Sequence, residues 1–168
     1  MLRLRGPDIQ SVYFPPSSAA YAGGAVSLMG CTDLQTCVSE AEADDDQSYI
    51  LLTKDDAARF GFNVPEEDIP NAVTAVRYEV RAATESGTQA AGSYGFTAHA
   101  DGTATQLSGA RDLTEEWTYQ TAHEPDITGE LSATLNGTEI QMNGASLPPN
   151  IKLSQVRIAV DYDARYSE

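Results

Sequence analysis

The side chains that could perform catalysis are few in this sequence. It has two histidines, His99 and His123, and two cysteines, Cys31 and Cys37. A hydrolytic triad needs a nucleophile, a base and an orienting group held together. Neither histidine lies beside a GxSxG or other nucleophile motif. The spacings also lack the HxH, HxxxH and CxxC patterns of transition-metal sites. We therefore expect no enzymatic activity, no catalytic residue and no cofactor.

The redox state of Cys31 and Cys37, six positions apart, stays open at this point. A disulfide across a turn is sterically possible, but a sequence cannot test the geometry that such a bond needs. The spacing is not a redox or zinc signature. We favour two reduced thiols, with a short-loop disulfide as the alternative.

Three consecutive carboxylates, Asp44, Asp45 and Asp46, are the sharpest local charge feature. They repel one another unless they are screened or neutralised. Calcium prefers six to eight oxygen ligands, which an acidic loop can supply, but the Asp-x-Asp-x-Asp-Gly pattern is missing. We expect no metal site here. The favoured interpretation is a solvated loop or a contact with a partner's arginine or lysine, and a divalent cation is the alternative.

The aromatic residues could form a sugar-binding platform, because aromatic faces stack on sugar rings and tyrosine hydroxyls form hydrogen bonds. Tyr78, Tyr94 and Tyr162 fall on the apolar side of alternating segments, so we expect them in the core. Trp117 and Tyr119 share a face whose opposite side is also uncharged. Core packing is favoured for them too. Trp117 is the aromatic residue that we most expect to be exposed instead, and it is a candidate contact for a partner.

Composition limits the function further. The chain has 168 residues, which fits one domain. It carries 25 Asp and Glu against 10 Lys and Arg, a net charge of −15. Such an acidic chain lacks the basic surface that nucleic-acid binding and docking on anionic lipid require. No segment approaches the roughly 18 apolar residues of a membrane span.

Alternation with a period of two is the clearest structural pattern, and it is typical of half-buried strands. It is strongest over residues 76–82, 94–100 and 156–162, and turn pairs such as Asp101-Gly102 separate the segments. We predict seven or eight strands in an all-β fold. This fold is an antiparallel two-sheet β-sandwich, jelly-roll-like, that spans residues 26–168 as a single domain. The side chains that we expect to be buried are Val76, Tyr78, Val80, Tyr94, Phe96, Val156, Ile158 and Val160.

Residues 1–25 show no sustained period, and Pro15-Pro16 interrupts them. We predict an irregular, extended N-terminal arm, because nothing in this segment can bury one face. Tyr13, Phe14 and Tyr21 are costly to leave in water as a group. We therefore expect them to bind a neighbouring chain and the protein to form a homo-oligomer.

The second half of the chain resembles β-sandwich virion proteins of tailed bacteriophages. The resemblance covers residues 111–163. It is carried by Glu115–Tyr119, by the Pro-rich loop Leu147–Asn150 and by the closing strand Ser154–Tyr162. It implies a non-enzymatic role in the virion, as a capsid decoration or cement protein or as a neck or tail component that binds neighbouring virion subunits.

The alternative function is a carbohydrate-binding module that recognises a receptor from a tail or fibre. Such a module needs at least two aromatic side chains exposed in one patch. The exposure of the aromatic residues therefore separates the two hypotheses.

Overall fold

The computed structural model describes residues 6–23, 26–40, 42–53, 56–85, 95–100, 103–108, 113–124, 127, 131–144 and 150–166, with backbone alone at 22, 95–100 and 103–108. The described residues form eleven strands: β1 (Ile9–Phe14), β2 (Ser18–Gly23), β3 (Ser27–Met29), β4 (Tyr49–Leu52), β5 (Ala57–Gly61), β6 (Val73–Thr84), β7 (Gly95–Ala100), β8 (Thr103–Ser108), β9 (Thr118–His123), β10 (Thr138–Asn143) and β11 (Ile151–Asp163). The helices are short: α1 (Leu34–Val38), α2 (Leu131–Asn136) and 3₁₀ turns at Asp45–Gln47, Glu66–Asp68 and Ala164–Tyr166. None of these helices is long and apolar enough to cross a membrane.

The strands form two antiparallel sheets. Sheet 1 has the order β3-β4-β11-β6-β9, with β1 also paired to β11. Sheet 2 has the order β2-β5-β10-β7-β8. All recorded pairings are antiparallel. The predicted all-β, two-sheet sandwich is confirmed.

The long strands β6 and β11 form the centre of sheet 1, because their alternating apolar residues bury one face. They pair from Ile151↔Thr84 to Tyr162↔Val73. Side chains directly opposite each other point to the same side of a sheet. The inward set packs into the main core. Burial is confirmed for six of the predicted residues: Val76, Tyr78, Val80, Val156, Ile158 and Val160. Tyr94 and the side chain of Phe96 lie outside the described residues.

The N-terminal segment is part of both sheets. β1 pairs with β11 from Ile9↔Asp163 to Phe14↔Ile158, and β2 pairs with β5. The irregular arm predicted for residues 1–25 is therefore wrong for β1 and β2. Val12 and Phe14 turn inward and pack against the core of the same chain.

A disulfide joins Cys31 to Cys37, so the favoured interpretation of two reduced thiols is wrong. The bond connects α1 to the end of β3. A five-residue helix is too short to be stable alone. Here Asp33 caps it, since its Oδ1 accepts from the Thr36 backbone N–H at 2.8 Å. The buried side chains of α1 include Cys37 itself. The disulfide thus ties α1 to the segment between β3 and the helix.

Replacing both Cys31 and Cys37 by alanine should lower the free energy of unfolding by about 2 kcal/mol. This is the chain-entropy effect expected for so short a loop. Urea unfolding followed by circular dichroism measures it. Wild-type protein in reducing agent is the control and should approach the double variant. Equal unfolding midpoints in oxidised wild type and variant would contradict the structural role of the bond.

Candidate functional site

The outer face of sheet 1 carries a row of alternating tyrosine rings and guanidinium groups. Tyr13 lies on β1, Arg157 on β11, and Arg81 and Tyr119 form a cross-strand pair between β6 and β9. The Cζ atom of Arg157 is 3.9 Å from the ring centroid of Tyr13 and 4.7 Å from that of Tyr119. The Cζ atom of Arg81 is 4.9 Å from the Tyr119 centroid. These are cation–π distances. Both tyrosines stay partly open to solvent, with Tyr13 46% and Tyr119 38% exposed.

A buried carboxylate underlies this row. Glu79 belongs to the outer face of β6, yet it is only 4% exposed. Its Oε1 accepts from Arg157 Nε at 3.0 Å and its Oε2 from Arg77 Nη1 at 3.2 Å. The charged face of β6 is therefore covered by its own ion pairs. Glu79 holds the Arg157 guanidinium in place beside the two rings.

Arg77 also makes a bidentate pair with Asp161, with Nε to Oδ2 at 2.9 Å and Nη2 to Oδ1 at 2.8 Å. These hydrogen bonds from Arg77 hold the pKa of Asp161 below its usual range, although partial burial opposes them. The Ser11 hydroxyl donates to the same carboxylate and acts in the same direction. The pair therefore ties β11 to both β6 and β1.

The lowered pKa of Asp161 predicts a loss of stability in acid. The contribution is complete above the unfolded-state pKa of about 3.9 and disappears as the pH falls through the lower folded-state pKa. The difference in unfolding free energy between wild type and Asp161→Asn should therefore shrink as the pH drops below about 4. Urea titrations at a series of pH values measure it. Asp68→Asn, which replaces an exposed aspartate outside this pair, is the control. A constant difference for Asp161→Asn would contradict the prediction.

The acidic 3₁₀ turn borders the same face. Asp45 makes a bidentate pair with Arg81, with Nε to Oδ1 at 2.8 Å and Nη2 to Oδ2 at 2.9 Å. Asp44 accepts from the Ser48 backbone N–H at 3.1 Å and from its hydroxyl at 2.7 Å. Each carboxylate thus has a separate partner in this chain. No group of three or more His, Cys, Asp or Glu in the described parts of the chain could hold a metal ion.

A second aromatic and cationic group lies beside the turn. Lys152 Nζ is 2.9 Å from Asp46 Oδ1. It lies 5.0 Å from the Trp117 ring centroid and 5.4 Å from that of Tyr49. Trp117 Nε1 donates to the same Asp46 oxygen at 3.3 Å. The hydrogen bond from Lys152 keeps the pKa of Asp46 low. Trp117 is half-buried and part of the site.

The basic side chains of this face are all paired. The described part of the face holds four of the chain's 10 lysine and arginine side chains, although the whole chain has a net charge of −15. Every one of these bases has a carboxylate partner, so the charges of these pairs cancel. The pairs are Arg77 with Asp161 and Glu79, Arg81 with Asp45, Lys152 with Asp46, and Arg157 with Glu79.

A cleft opens on the same face where β11 changes partner along one edge. β11 pairs with β4 at residues 151–153 and with β1 at 158–163, while β6 occupies its other edge. Among the strands that the structure describes, none therefore pairs with residues 154–157 on the first edge. The cleft above them has a volume of about 400 Å³, which falls in the range of small-molecule sites. Its lining residues include Ser11, Tyr13, Pro15, Ser39, Glu40, Gln155 and Arg157.

Hydrogen bonds of Gln155 connect the cleft to Tyr119 in the row of tyrosine and arginine side chains. Gln155 Nε2 donates to the backbone oxygen of Glu40 at 2.7 Å, and Gln155 Oε1 accepts from the Tyr119 hydroxyl at 2.5 Å. The carboxyl group of Glu40 has a raised pKa, because it is partly desolvated and lies close to Asp44. Neither Nη atom of Arg157 donates to a residue within the described ranges, since its hydrogen bond to Glu79 uses Nε.

Of the four partner-binding candidates from the sequence, Tyr13 and Trp117 lie in this site. Phe14 faces the core, and Tyr21 is exposed on β2 in sheet 2. Tyr119 is a site residue that the core interpretation assigned wrongly. Tyr78 is in the core as predicted.

Sequence reasoning also missed the parts played by Arg81, Arg157, Glu79 and Glu40. Alternating charges on β6 and β11 were the available signal for the first three. His123 is exposed on β9, whereas the side chain of His99 lies outside the described residues.

No protein-family model matches the sequence, and no curated protein sequence matches it. Solved structures that are similar in fold include the following two. One holds the CBM22-1 and GH10 modules of endo-1,4-β-D-xylanase 10B from Clostridium thermocellum, complexed with xylohexaose, with a TM-score of 0.53 and 11% identity. It matches 88% of this chain, which spans only 27% of the xylanase chain. The other is the CBM22-1 xylan-binding domain of Paenibacillus barcinonensis Xyn10C, with a TM-score of 0.46, 12% identity, and 94% and 97% of the two chains covered. At 11% identity, the first likeness shows the fold.

Proposed function

We propose that this protein is a carbohydrate-binding module and that the outer face of sheet 1 is its binding surface. The observation that carries the proposal is the row Tyr13–Arg157–Tyr119 beside the 400 Å³ cleft. Tyr13 and Tyr119 provide the two exposed aromatic side chains in one patch that such a module needs. The proposal assigns no catalytic step to the face.

The chemistry of the face suits a sugar. The exposed parts of Tyr13 and Tyr119 offer apolar surface to the C–H groups of a pyranose ring. Guanidinium, carboxyl and amide groups next to them can exchange hydrogen bonds with hydroxyls. The ion pairs under the row already fix these groups, so little side-chain entropy is lost when a ligand binds. Because the charges of these ion pairs cancel, the pairs present no strong field to an uncharged glycan.

The similar xylanase structure was determined with bound xylohexaose. A shared fold does not by itself carry a shared ligand, since binding sites differ between proteins of one fold. It does make xylohexaose the first ligand to test. A panel of soluble xylan, β-glucan and mannan should follow it.

Tyr119→Ala should weaken sugar binding by about tenfold, because the variant loses ring surface and the hydroxyl that fixes Gln155. Isothermal titration with xylohexaose, or with the glycan that binds best, measures the change. Tyr21→Ala is the matched control, since Tyr21 is 55% exposed but belongs to sheet 2. Equal losses of sugar affinity in the two variants would mean that the binding site does not lie on the outer face of sheet 1. Absence of binding to every glycan in the panel would refute the function.

A contact with another protein subunit is the second candidate function. Tyr, Trp and Arg are the side chains that dominate protein–protein hot spots, and all three are present on this face. A virion role as implied by the phage resemblance, with the protein as a homo-oligomer, belongs to this candidate. Light scattering of wild type and Tyr13→Ala tests self-association, which the variant should weaken. If the wild type is monomeric at every concentration tested, the homo-oligomer hypothesis is wrong.

A further inference from the structure

We propose that the cleft recognises two neighbouring free hydroxyls of one sugar ring, with Arg157 donating to one oxygen and Glu40 accepting from the adjacent hydroxyl. This inference rests on the proposed function and specifies which chemical groups of the glycan the site recognises. The ligand class is then a glycan with unsubstituted vicinal hydroxyls.

Arg157 supplies donors that the fold leaves unused. Its Nε is occupied by Glu79 at 3.0 Å, and its plane lies between the rings of Tyr13 and Tyr119. Neither Nη atom donates to any residue in the ranges that the structure describes. A guanidinium has five N–H donors in a fixed fork. Since the rings and the carboxylate set its orientation, its free donors are offered to a ligand at the cleft.

Glu40 supplies the acceptor. Glu40 lines the cleft, and its carboxyl group accepts a long hydrogen bond of 3.3 Å from the Ser48 hydroxyl and lies against Asp44. Partial burial and the nearby Asp44 raise its pKa, because both disfavour the charged form. The two oxygens of a carboxylate can accept about four hydrogen bonds, so a sugar hydroxyl can donate to Glu40 in addition to Ser48. The oxygen of the adjacent sugar hydroxyl can then accept from Arg157.

The walls hold these two groups in a fixed relation. The backbone oxygen of Glu40 is bound by Gln155, which is itself bound by Tyr119. On the other side, the segment leads back to α1 and the disulfide. The ring of Tyr13 forms the opposite wall. A sugar in the cleft therefore meets apolar surface from Tyr13 and Val156 and two charged groups, an arrangement that fixes its orientation.

The first experiment changes the ligand. Internal xylose units of xylohexaose have adjacent hydroxyls at carbons 2 and 3. Acetylation blocks both hydroxyls and keeps the ring closed, whereas periodate cleaves the bond between the two carbons. We expect either treatment to weaken binding at least tenfold, as measured by titration of the full chain. If acetylated and untreated xylohexaose bind equally well, the diol inference is overturned and the proposed function stands. If no glycan binds, both fail.

The second experiment changes the protein. Glu40→Gln keeps the shape but loses the charged acceptor, and Arg157→Lys keeps the charge but loses the fork. Each should weaken binding by about ten- to a hundredfold, the range for hydrogen bonds to charged groups. Glu42→Gln and Arg59→Lys are the controls, because Glu42 lies outside the cleft lining and Arg59 belongs to sheet 2.

The acetylated ligand separates recognition from stability. Glu40→Gln should distinguish acetylated from untreated xylohexaose less than wild type does, because it loses the acceptor for one hydroxyl while Arg157 still donates to the other oxygen. A purely structural role of Glu40 would lower both affinities and leave their ratio as in wild type. That result, or equal losses in Glu40→Gln and Glu42→Gln, would overturn the inference.

Discussion

Glu79→Gln should lower the free energy of unfolding by about 3–5 kcal/mol, the cost of breaking a buried ion pair from one side. The side chain is 4% exposed and serves two arginines, Arg77 and Arg157. Removal of its charge leaves two partly buried guanidinium groups close together without their shared counterion. Urea unfolding at neutral pH measures the loss.

Glu139→Gln is the matched control for this prediction. Glu139 forms a 3.5 Å ion pair with Arg59 on sheet 2, but both side chains are well exposed. Exposed pairs of this kind contribute about 0–1 kcal/mol. A loss below about 1 kcal/mol for Glu79→Gln, equal to that of the control, would mean that water reaches Glu79 and that Arg157 is not fixed by it.

Ile158→Ala should cost about 2–5 kcal/mol of unfolding free energy. Ile158 is fully buried at the centre of β11, where it pairs with Tyr78 on β6 and with Phe14 on β1. The variant loses buried apolar surface and leaves a cavity among three strands that cannot all close in. Thermal or urea unfolding measures the effect.

Thr74→Ala provides the reference, since Thr74 lies on β6 but is exposed. It should change stability by no more than about 0.5 kcal/mol. If Ile158→Ala is as stable as Thr74→Ala, the register that places Ile158 inside is wrong. A shift of one residue would turn every side chain of β11 to the opposite face.

The sheet class could be predicted because β6 and β11 are long enough for alternation to stand out. Val76 to Ala82 and Val156 to Tyr162 each repeat the pattern several times. β1 could not be found in this way. Only Val12 and Phe14 are apolar on its inner face, and Pro15-Pro16 ends the run. Its strand character comes from pairing with β11, which is distant in sequence.

The candidate site was less predictable, because its parts meet only through strand register. Tyr119 has uncharged neighbours on both sides, so its sequence gives no direction. Its position opposite Arg81 settles the direction. Glu79 has the pattern of a solvent-facing residue, and its burial follows from Arg157 on the neighbouring strand. The disulfide likewise depends on the path of α1.

The gap along one edge of β11 separates the residues that stabilise the fold from the residues that would contact a ligand. Residues 155–157 line the cleft, and β6 pairs with them along the other edge. The walls come from the ends of segments at Pro15 and Ser39 to Glu40, which contribute few core side chains. Insertions or substitutions in those walls would reshape what the cleft admits and leave the paired strands intact. The same sandwich could in this way diversify its ligands by small steps, each of which keeps a folded protein.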